Sequence, residues 1–395
     1  MKIAFIHSDK KIATGAHYIN DLISSNLKKA GINLKNFYPK VPLIEDSSPG
    51  LKGLANILFF YSLLERREDI LRYDLIQGTT YTPLPFLAYG IPAVSHFGSV
   101  TQEFINSVPL AKNLDRETKK IWYELKKKGV IQGVNVKTRR PMRDIAEIEK
   151  YVALRVSAII AVSQKVKEEL IKIGVTAEKI SVIHNAIEDY WYEKMENSFN
   201  PNPKLVFLGR LGKDAFTLKL KGVDRLIQLY RKFPAVKKVT ICMTTNKNLK
   251  NWLRTNIKEQ DLFVNFKKDL IPNILNPLKG SILFLPSRYE GFSLSLIEGM
   301  SQGLIPIAYP VGVAPEIIRN GENGFLVNHQ REAVICVENL LSKTDLREKM
   351  ANEAQKTALD FRSEIMIRRL VPFYKEIVDK LKNKHGDSQN IKISK

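Results

Sequence analysis

The chain has 395 residues, 44% hydrophobic and 26% charged, with a formal net charge of +21; that length exceeds what one core usually supports, and the balance excludes a disordered, fibrous or low-complexity polypeptide. Cys242 and Cys336 stand without CxxC or Cys/His spacing, which excludes a zinc site and predicts two core thiols in a reducing compartment. The positive charge is uneven, since residues 112–143 alone hold 11 basic and three acidic side chains. A patch of this kind, with Trp122 and Tyr123 among its lysines, suits an anionic lipid surface or a charged acceptor; a solvated helix face is the equally weighted alternative. Nucleic acid is not expected as a partner, because no aromatic-lined basic groove is evident.

In chain order, Met1 to His7 reads as a buried strand instead of a signal peptide, because the apolar run stops at a Lys/Asp-rich turn. Further strand-like runs follow at Asn33 to Tyr38, Leu75 to Gln77, Ala93 to Ser95, Ala158 to Val162 and Ile180 to Ile183. Between them, Tyr18 to Ala30 and Lys165 to Ile173 carry apolar residues at helical spacing. The apolar stretch Leu54 to Leu64 is far shorter than the roughly 20 residues that cross a bilayer. Alternating strands and helices predict a parallel sheet covered by helices. An Asn/Pro-rich stretch from Glu193 to Pro203 interrupts the pattern and predicts a linker.

The alternation restarts with Lys204 to Gly209 and continues at Val239 to Met243, Leu262 to Phe266, Ile282 to Pro286, Ile305 to Tyr309 and Gly324 to Val327. The fold class is therefore α/β, with two doubly wound parallel-sheet (Rossmann-like) domains, 1–195 and 203–369, facing a central cleft. A last amphipathic helix, with Leu370, Phe373, Tyr374, Ile377, Val378 and Leu381 on one side, is expected to break near Pro372.

Chemistry concentrates after the strand Ile282 to Leu285, in Pro286-Ser287-Arg288-Tyr289-Glu290-Gly291-Phe292-Ser293-Leu294-Ser295-Leu296-Ile297-Glu298-Gly299. Gly291 is expected near a helix start, so the amides of Gly291, Phe292, Ser293 and Leu294 would meet a phosphate at the positive end of the helix dipole. Glu290 and Glu298 lie on either side of that turn, where carboxylates accept from sugar or ribose hydroxyls.

The spacing of Glu290 and Glu298 resembles the E-x7-E element of the family-4 retaining glycosyltransferases. The continuation Gly299-Met300-Ser301-Gln302-Gly303-Leu304-Ile305-Pro306, Gly312, Pro315-Glu316-Ile317-Ile318 and Asn320-Gly321-Glu322-Asn323-Gly324 is similar too. The resemblance implies the GT-B fold from Met1 to about Lys384, with a terminal helix, about 370–384, packing back on the first domain. It also implies a nucleotide-diphosphate sugar as donor, sugar-orienting roles for Glu290 and His96, and a ribose role for Glu298.

Leu208-Gly209-Arg210-Leu211 and Lys221-Gly222-Val223-Asp224 are similar to the family's paired cations, so Arg210 and Lys221 are expected to stabilise the departing diphosphate. The interval between them is longer than the family's, which makes Lys219 the second choice. Thr14-Gly15-Ala16-His17 keeps one glycine, Gly15, of the family's pair beside the donor phosphates. Asn185 matches an Asn-Gly-type turn of structural role. Val264 and Phe266 would line the base site.

No DxD pair and no metal-ligand cluster occurs, so no metal and no cofactor are expected. GxGxxG, GxxxxGK[ST] and GxSxG are missing as well, against oxidoreductase, P-loop kinase and serine-hydrolase chemistry. The expected activity is a retaining transfer onto an acceptor hydroxyl in bacterial glycan or glycolipid assembly, with a lipid-linked saccharide as the leading acceptor. The expected location is cytoplasmic, with peripheral contact at the inner membrane face through residues 112–143. A catalytically silent partner subunit and an epimerase or phosphorylase on the same fold are the competing accounts.

Overall fold

A computed structural model describes residues 1–7, 15–39, 59–135, 140–193, 195, 198–212 and 214–390. The chain divides into two compact units: Met1–Gln102 with Thr138–Ala186 and Ser363–Lys395, and Glu103–Lys137 with Ile187–Arg362.

In the first unit, strands β1 (Lys2–Ile6), β2 (Asn33–Phe37), β3 (Leu75–Thr79), β4 (Ala93–Phe97), β5 (Ala158–Ala161) and β6 (Ile180–Val182) form one sheet in the order β2-β1-β3-β4-β5-β6. All five pairings are parallel. The strand order reverses between β1 and β3. The strands are short apolar runs of the kind a sheet covered on both faces requires. Ala4, Ile6, Phe37, Phe60, Leu63, Ile70, Ile76 and Phe86 pack together, so the described end of the apolar run Leu54 to Leu64 enters a core. Among the described residues no helix is long and apolar enough to cross a membrane.

The terminal helix, Ser363–Asn390, packs on the helix Gly15–Lys29 within this unit. It runs through Pro372 without interruption, contrary to the expected break. Pro372 and Arg368 are both exposed, so the carbonyl that proline leaves without an amide lies on the solvent side, where water satisfies it. Met366, Leu370, Phe373, Tyr374 and Val378 form the buried face.

In the second unit, strands β7 (Leu205–Gly212), β8 (Lys238–Thr245), β9 (Gln260–Val264), β10 (Ile282–Leu285), β11 (Ile305–Ala308) and β12 (Phe325–Leu326) are also all parallel, in the order β12-β11-β10-β7-β8-β9. Here the reversal lies between β7 and β10. Open sheets of this type bind ligands beyond the strand ends at such a switch point. Cys242 is buried in this core and Cys336 packs on its margin.

The segment Glu103–Lys137 packs with the second unit, although it lies inside the linear range 1–195. Its helix Arg116–Lys127 buries Thr118, Ile121, Trp122 and Leu125, a stripe at helical spacing, and packs on the helix Val223–Lys232. Polar ties fix it there. Arg231 donates to both Glu124 oxygens at 2.9 and 3.0 Å, and the Trp252 indole donates to Glu124 Oε1 at 3.1 Å. Trp122 is 0% exposed, which removes it from the expected lipid-facing patch; the wide apolar ring belongs to the stripe that the amphipathic helix must bury. Tyr123, Lys120, Lys126, Lys127 and Lys128 stay exposed. Residues 136–139 of the expected patch lie outside the described residues.

Candidate functional site

The site grows from two segments that leave the neighbouring strands β7 and β10. After β7 the chain makes the helix Ala215–Leu220, capped by Asp214, whose carboxylate accepts from the Thr217 amide at 3.1 Å. That short helix absorbs the long interval seen in the sequence. Gly222, two residues beyond its end, has φ +64; a Cβ there would lie 2.0 Å from the Pro286 carbonyl oxygen. A side chain is therefore excluded twice, by backbone conformation and by space.

The segment after β10 is stitched to this turn. The Arg288 amide donates to the Leu220 carbonyl at 2.7 Å, and Arg288 Nη1 to the Lys219 carbonyl at 2.7 Å. The Arg288 guanidinium also pairs with Asp224 through two bonds of 2.8 and 2.6 Å. Beside it, Arg225 Nη1 donates to the Pro286 carbonyl at 3.1 Å while the guanidinium lies 3.6 Å from the Tyr309 ring centroid. Two rigid turns are thus held in one register. Fixed on them, Lys221 Nζ donates to Glu290 Oε1 at 2.6 Å, and Ser287 Oγ donates to the same oxygen at 2.7 Å.

The helix begins at Leu294, three residues later than expected, and runs to Ser301. Gly291, Phe292 and Ser293 form the bend before it. Ser293 caps it in the left-handed region, with φ 87, a strained conformation for a non-glycine residue that persists only where neighbours impose it. They do so from the third side: the Val313 amide donates to the Phe292 carbonyl at 3.0 Å, and a Cβ on Gly312 would lie 2.6 Å from that oxygen. The helix's first turn presents the positive end of its dipole, although the Leu296 amide within it already donates to the Ser293 carbonyl at 3.2 Å.

Glu298, one turn and more into this helix, is 5% exposed and forms an ion pair with Lys268 at 3.1 Å. Lys268 also meets Glu188 at 2.6 Å. Burial raises the Glu298 carboxyl above the usual carboxylate range, and the Lys268 ammonium opposes that rise. Val264 ends β9, and Phe266 follows it with its ring 5.8 Å from that of Phe263.

Arg210 is exposed near the carboxyl end of β7. Lys219 is turned inward: it is 0% exposed, donates to the Pro109 carbonyl at 2.9 Å and lies 5.6 Å from the Trp122 ring. Desolvation pulls its ammonium down to about 8. Lys219 and Lys221, two positions apart, therefore point to different surroundings, and Lys221 is the one beside Glu290.

On the first unit, His96 lies in β4, 5% exposed, with Nε2 3.1 Å from Asn185 Oδ1. Burial pushes the imidazole down to about 4, so it is neutral at neutral pH. Gly15 opens the helix Gly15–Lys29, whereas the preceding Thr14 lies outside the described residues. Among the described residues no group of three or more His, Cys, Asp or Glu side chains is gathered as metal ligands.

The sequence reading missed Asp224, Arg225, Arg288, Lys268 and Glu188. Charged residues three and four positions after the motif cation Lys221 were the available signal for Asp224 and Arg225. Nothing in the linear spacing joins Glu188 to Lys268 and Glu298.

A family model described as glycosyl transferases group 1 matches residues 192–357, and one described as Glycosyltransferase Family 4 matches residues 25–189. The two abut along the chain, which belongs to the family-4 type of glycosyltransferase. The capsular polysaccharide biosynthesis glycosyltransferase CapM of Staphylococcus aureus is 26% identical over 258 residues, 58% of this chain and 63% of CapM. Sucrose-phosphate synthase of Thermosynechococcus elongatus superposes with a TM-score of 0.73 at 14% identity, over 96% of this chain and 99% of that one. Anabaena HepE in complex with UDP-glucose gives 0.64 at 17% identity, over 95% and 100%. These superpositions establish the fold, GT-B, as the motif resemblance implies. The aligned part covers between 54% and 64% of the length of the first curated relatives.

Proposed function

We propose that the chain is a retaining, metal-independent glycosyltransferase that moves a sugar from a nucleotide-diphosphate sugar to an acceptor hydroxyl. The observation that carries this reading is the Lys221–Glu290 pair at 2.6 Å, seated between the two turns that leave β7 and β10 and next to the first turn of the helix Leu294–Ser301. Cations and helix amides beside a switch point suit a diphosphate. HepE was crystallised with UDP-glucose, which supports a nucleotide-sugar donor here.

In this mechanism the acceptor oxygen bonds to the anomeric carbon on the face from which the diphosphate departs. The anomeric C–O bond breaks as the new bond forms, and the acceptor proton passes to the departing diphosphate. Lys221 and Arg210 stabilise the charge that grows on the leaving group, more in the transition state than in the ground state. Glu290 orients the sugar through its hydroxyls, and Glu298 holds the ribose.

A panel of nucleotide sugars incubated with the protein and a chelator tests the reading by release of nucleoside diphosphate. One donor is expected to be cleaved slowly, and Glu290→Ala or Arg210→Ala to abolish that release; release unchanged in both variants would overturn the assignment.

The role of CapM supports a place in glycan or glycolipid assembly. The exposed Lys120, Lys126, Lys127 and Lys128 support contact with anionic lipid and a lipid-linked saccharide as acceptor. Sedimentation with phosphatidylglycerol vesicles is expected at low salt and lost at high salt. Equal sedimentation with phosphatidylcholine vesicles would remove the charge-driven contact.

A further inference from the structure

We propose that Lys268, braced by Glu188, is a positioning residue for the donor subsite, holding the Glu298 carboxylate ionised and aimed for the hydroxyl pair of the ribose. The inference rests on the donor reading above and adds to it two residues that no motif marks.

Three segments distant in sequence converge here. Glu188 precedes the short turn Asp189–Trp191, Lys268 opens the turn Lys268–Leu270 after β9, and Glu298 sits on the helix Leu294–Ser301. Lys268 Nζ lies 2.6 Å from Glu188 Oε1 and 3.1 Å from Glu298 Oε1. The lysine and glutamate side chains at the centre are 9% and 7% exposed. Ion pairs this enclosed persist only when each charge is answered, because desolvation penalises every unpaired one.

The triplet holds two carboxylates against one ammonium. Glu188 Oε2 is buried without a hydrogen-bond partner, so the cluster is short of donors while in excess of negative charge. A ribose diol brings two O–H donors and no charge, which suits a carboxylate-rich cluster short of donors. Lys268 belongs to the same turn that follows Val264 and Phe266, the expected base contacts, so it also couples that segment to the helix bearing Glu298.

The groups facing Glu298 are the Lys268 ammonium, which favours its ionised form, and Glu188, which with burial disfavours it. Removing the ammonium leaves two carboxylates facing one another in an enclosed site, and Glu298 then takes up a proton at a higher pH than in the parent. A protonated carboxyl can accept only through part of its former capacity. Because protonation follows falling pH, the defect deepens in acid and recovers in alkali.

The test is calorimetric titration of the full chain with UDP, or with whichever nucleoside diphosphate the donor panel selects, alongside its 2′,3′-dideoxy analogue. Lys268→Met is expected to bind the diphosphate about tenfold or more weakly at neutral pH, the scale of a charge-assisted hydrogen bond. That affinity should return toward the parent value as pH is raised and the carboxyl gives up its proton. Lys268→Arg is expected to stay near the parent, and Lys268→Met to lose the parent's preference for ribose over dideoxyribose. Thermal melting at each pH identifies a variant that has failed to fold, in which case Glu188→Gln is titrated instead, with a shift of the binding profile to lower pH expected.

A Lys268→Met protein that binds like the parent, or that is weakened by one factor at every pH, overturns the inference while leaving the donor reading intact. A parent chain that binds no nucleoside diphosphate overturns the donor reading itself.

Discussion

Replacing Lys221 by methionine is expected to lower turnover by about 10²- to 10³-fold, the loss that follows removal of one prepositioned group that answers transition-state charge. Lys221 is held where its charge is useful. Its side chain is 21% exposed, and its Nζ sits 2.6 Å from Glu290 Oε1, on a turn whose backbone is fixed by the Gly222 approach to Pro286. The ammonium therefore has little rotamer freedom left to lose when a diphosphate arrives, which is the advantage of preorganisation.

Methionine keeps most of the stem and removes the charge. Glu290 would keep the Ser287 bond at 2.7 Å, so its carboxylate should stay in place. The effect should fall mainly on kcat, because charge grows on the diphosphate in the transition state, with a smaller rise in the KM of the donor. Lys221→Arg retains charge but not the compact ammonium, and intermediate activity is expected. Steady-state kinetics on both variants decide the matter. A kcat for Lys221→Met within a few-fold of the parent would assign leaving-group stabilisation to another cation, with Arg210 the next to examine.

The strands were legible because a buried parallel strand writes itself as a short apolar run, and all twelve expected runs overlap observed strands. Helix starts were less so. The glycine at 291 attracted the helix start in the reading, whereas Ser293 takes the left-handed cap because Val313 and Gly312 hold Phe292 from outside the motif. That information lies about twenty residues downstream and has no local trace.

The same limit explains the assignment of Glu103–Lys137. The helix Arg116–Lys127 shows its apolar stripe in the sequence, but a stripe says only that something is covered, not which sheet does the covering. The partner is settled by Glu124 meeting Arg231 and Trp252, contacts more than a hundred residues apart. Within the site, Glu290, Glu298, Arg210 and Lys221 were visible as a motif set. The residues that brace the turns bearing Lys221 and Glu290, namely Asp224, Arg225 and Arg288, and the partner of Glu298, Lys268, were hidden because support is a matter of convergence in space, for which a chain has no spacing rule.

Replacing Arg288 by methionine is expected to destabilise the second unit by about 3–5 kcal/mol, the cost of leaving one partner of a buried ion pair alone. The Asp224 side chain is 1% exposed and that of Arg288 is 11% exposed, and two bonds of 2.8 and 2.6 Å join them. Methionine would strand the carboxylate and also withdraw the donor from the Lys219 carbonyl. The loss should be local to this unit.

All three tryptophans, Trp122, Trp191 and Trp252, belong to it, so denaturation followed by tryptophan fluorescence reads the second unit without interference from the first. A second variant separates charge from packing. In Asp224→Asn with Arg288→Met the stranded charge is gone, and a substantial part of the lost stability should return, because an ion pair replaced on both sides costs far less than one broken on one side. If the double variant is no more stable than Arg288→Met alone, the guanidinium acts chiefly through the two backbone turns it joins. Activity per folded molecule should then fall with it, since Lys221 and Glu290 depend on the same register.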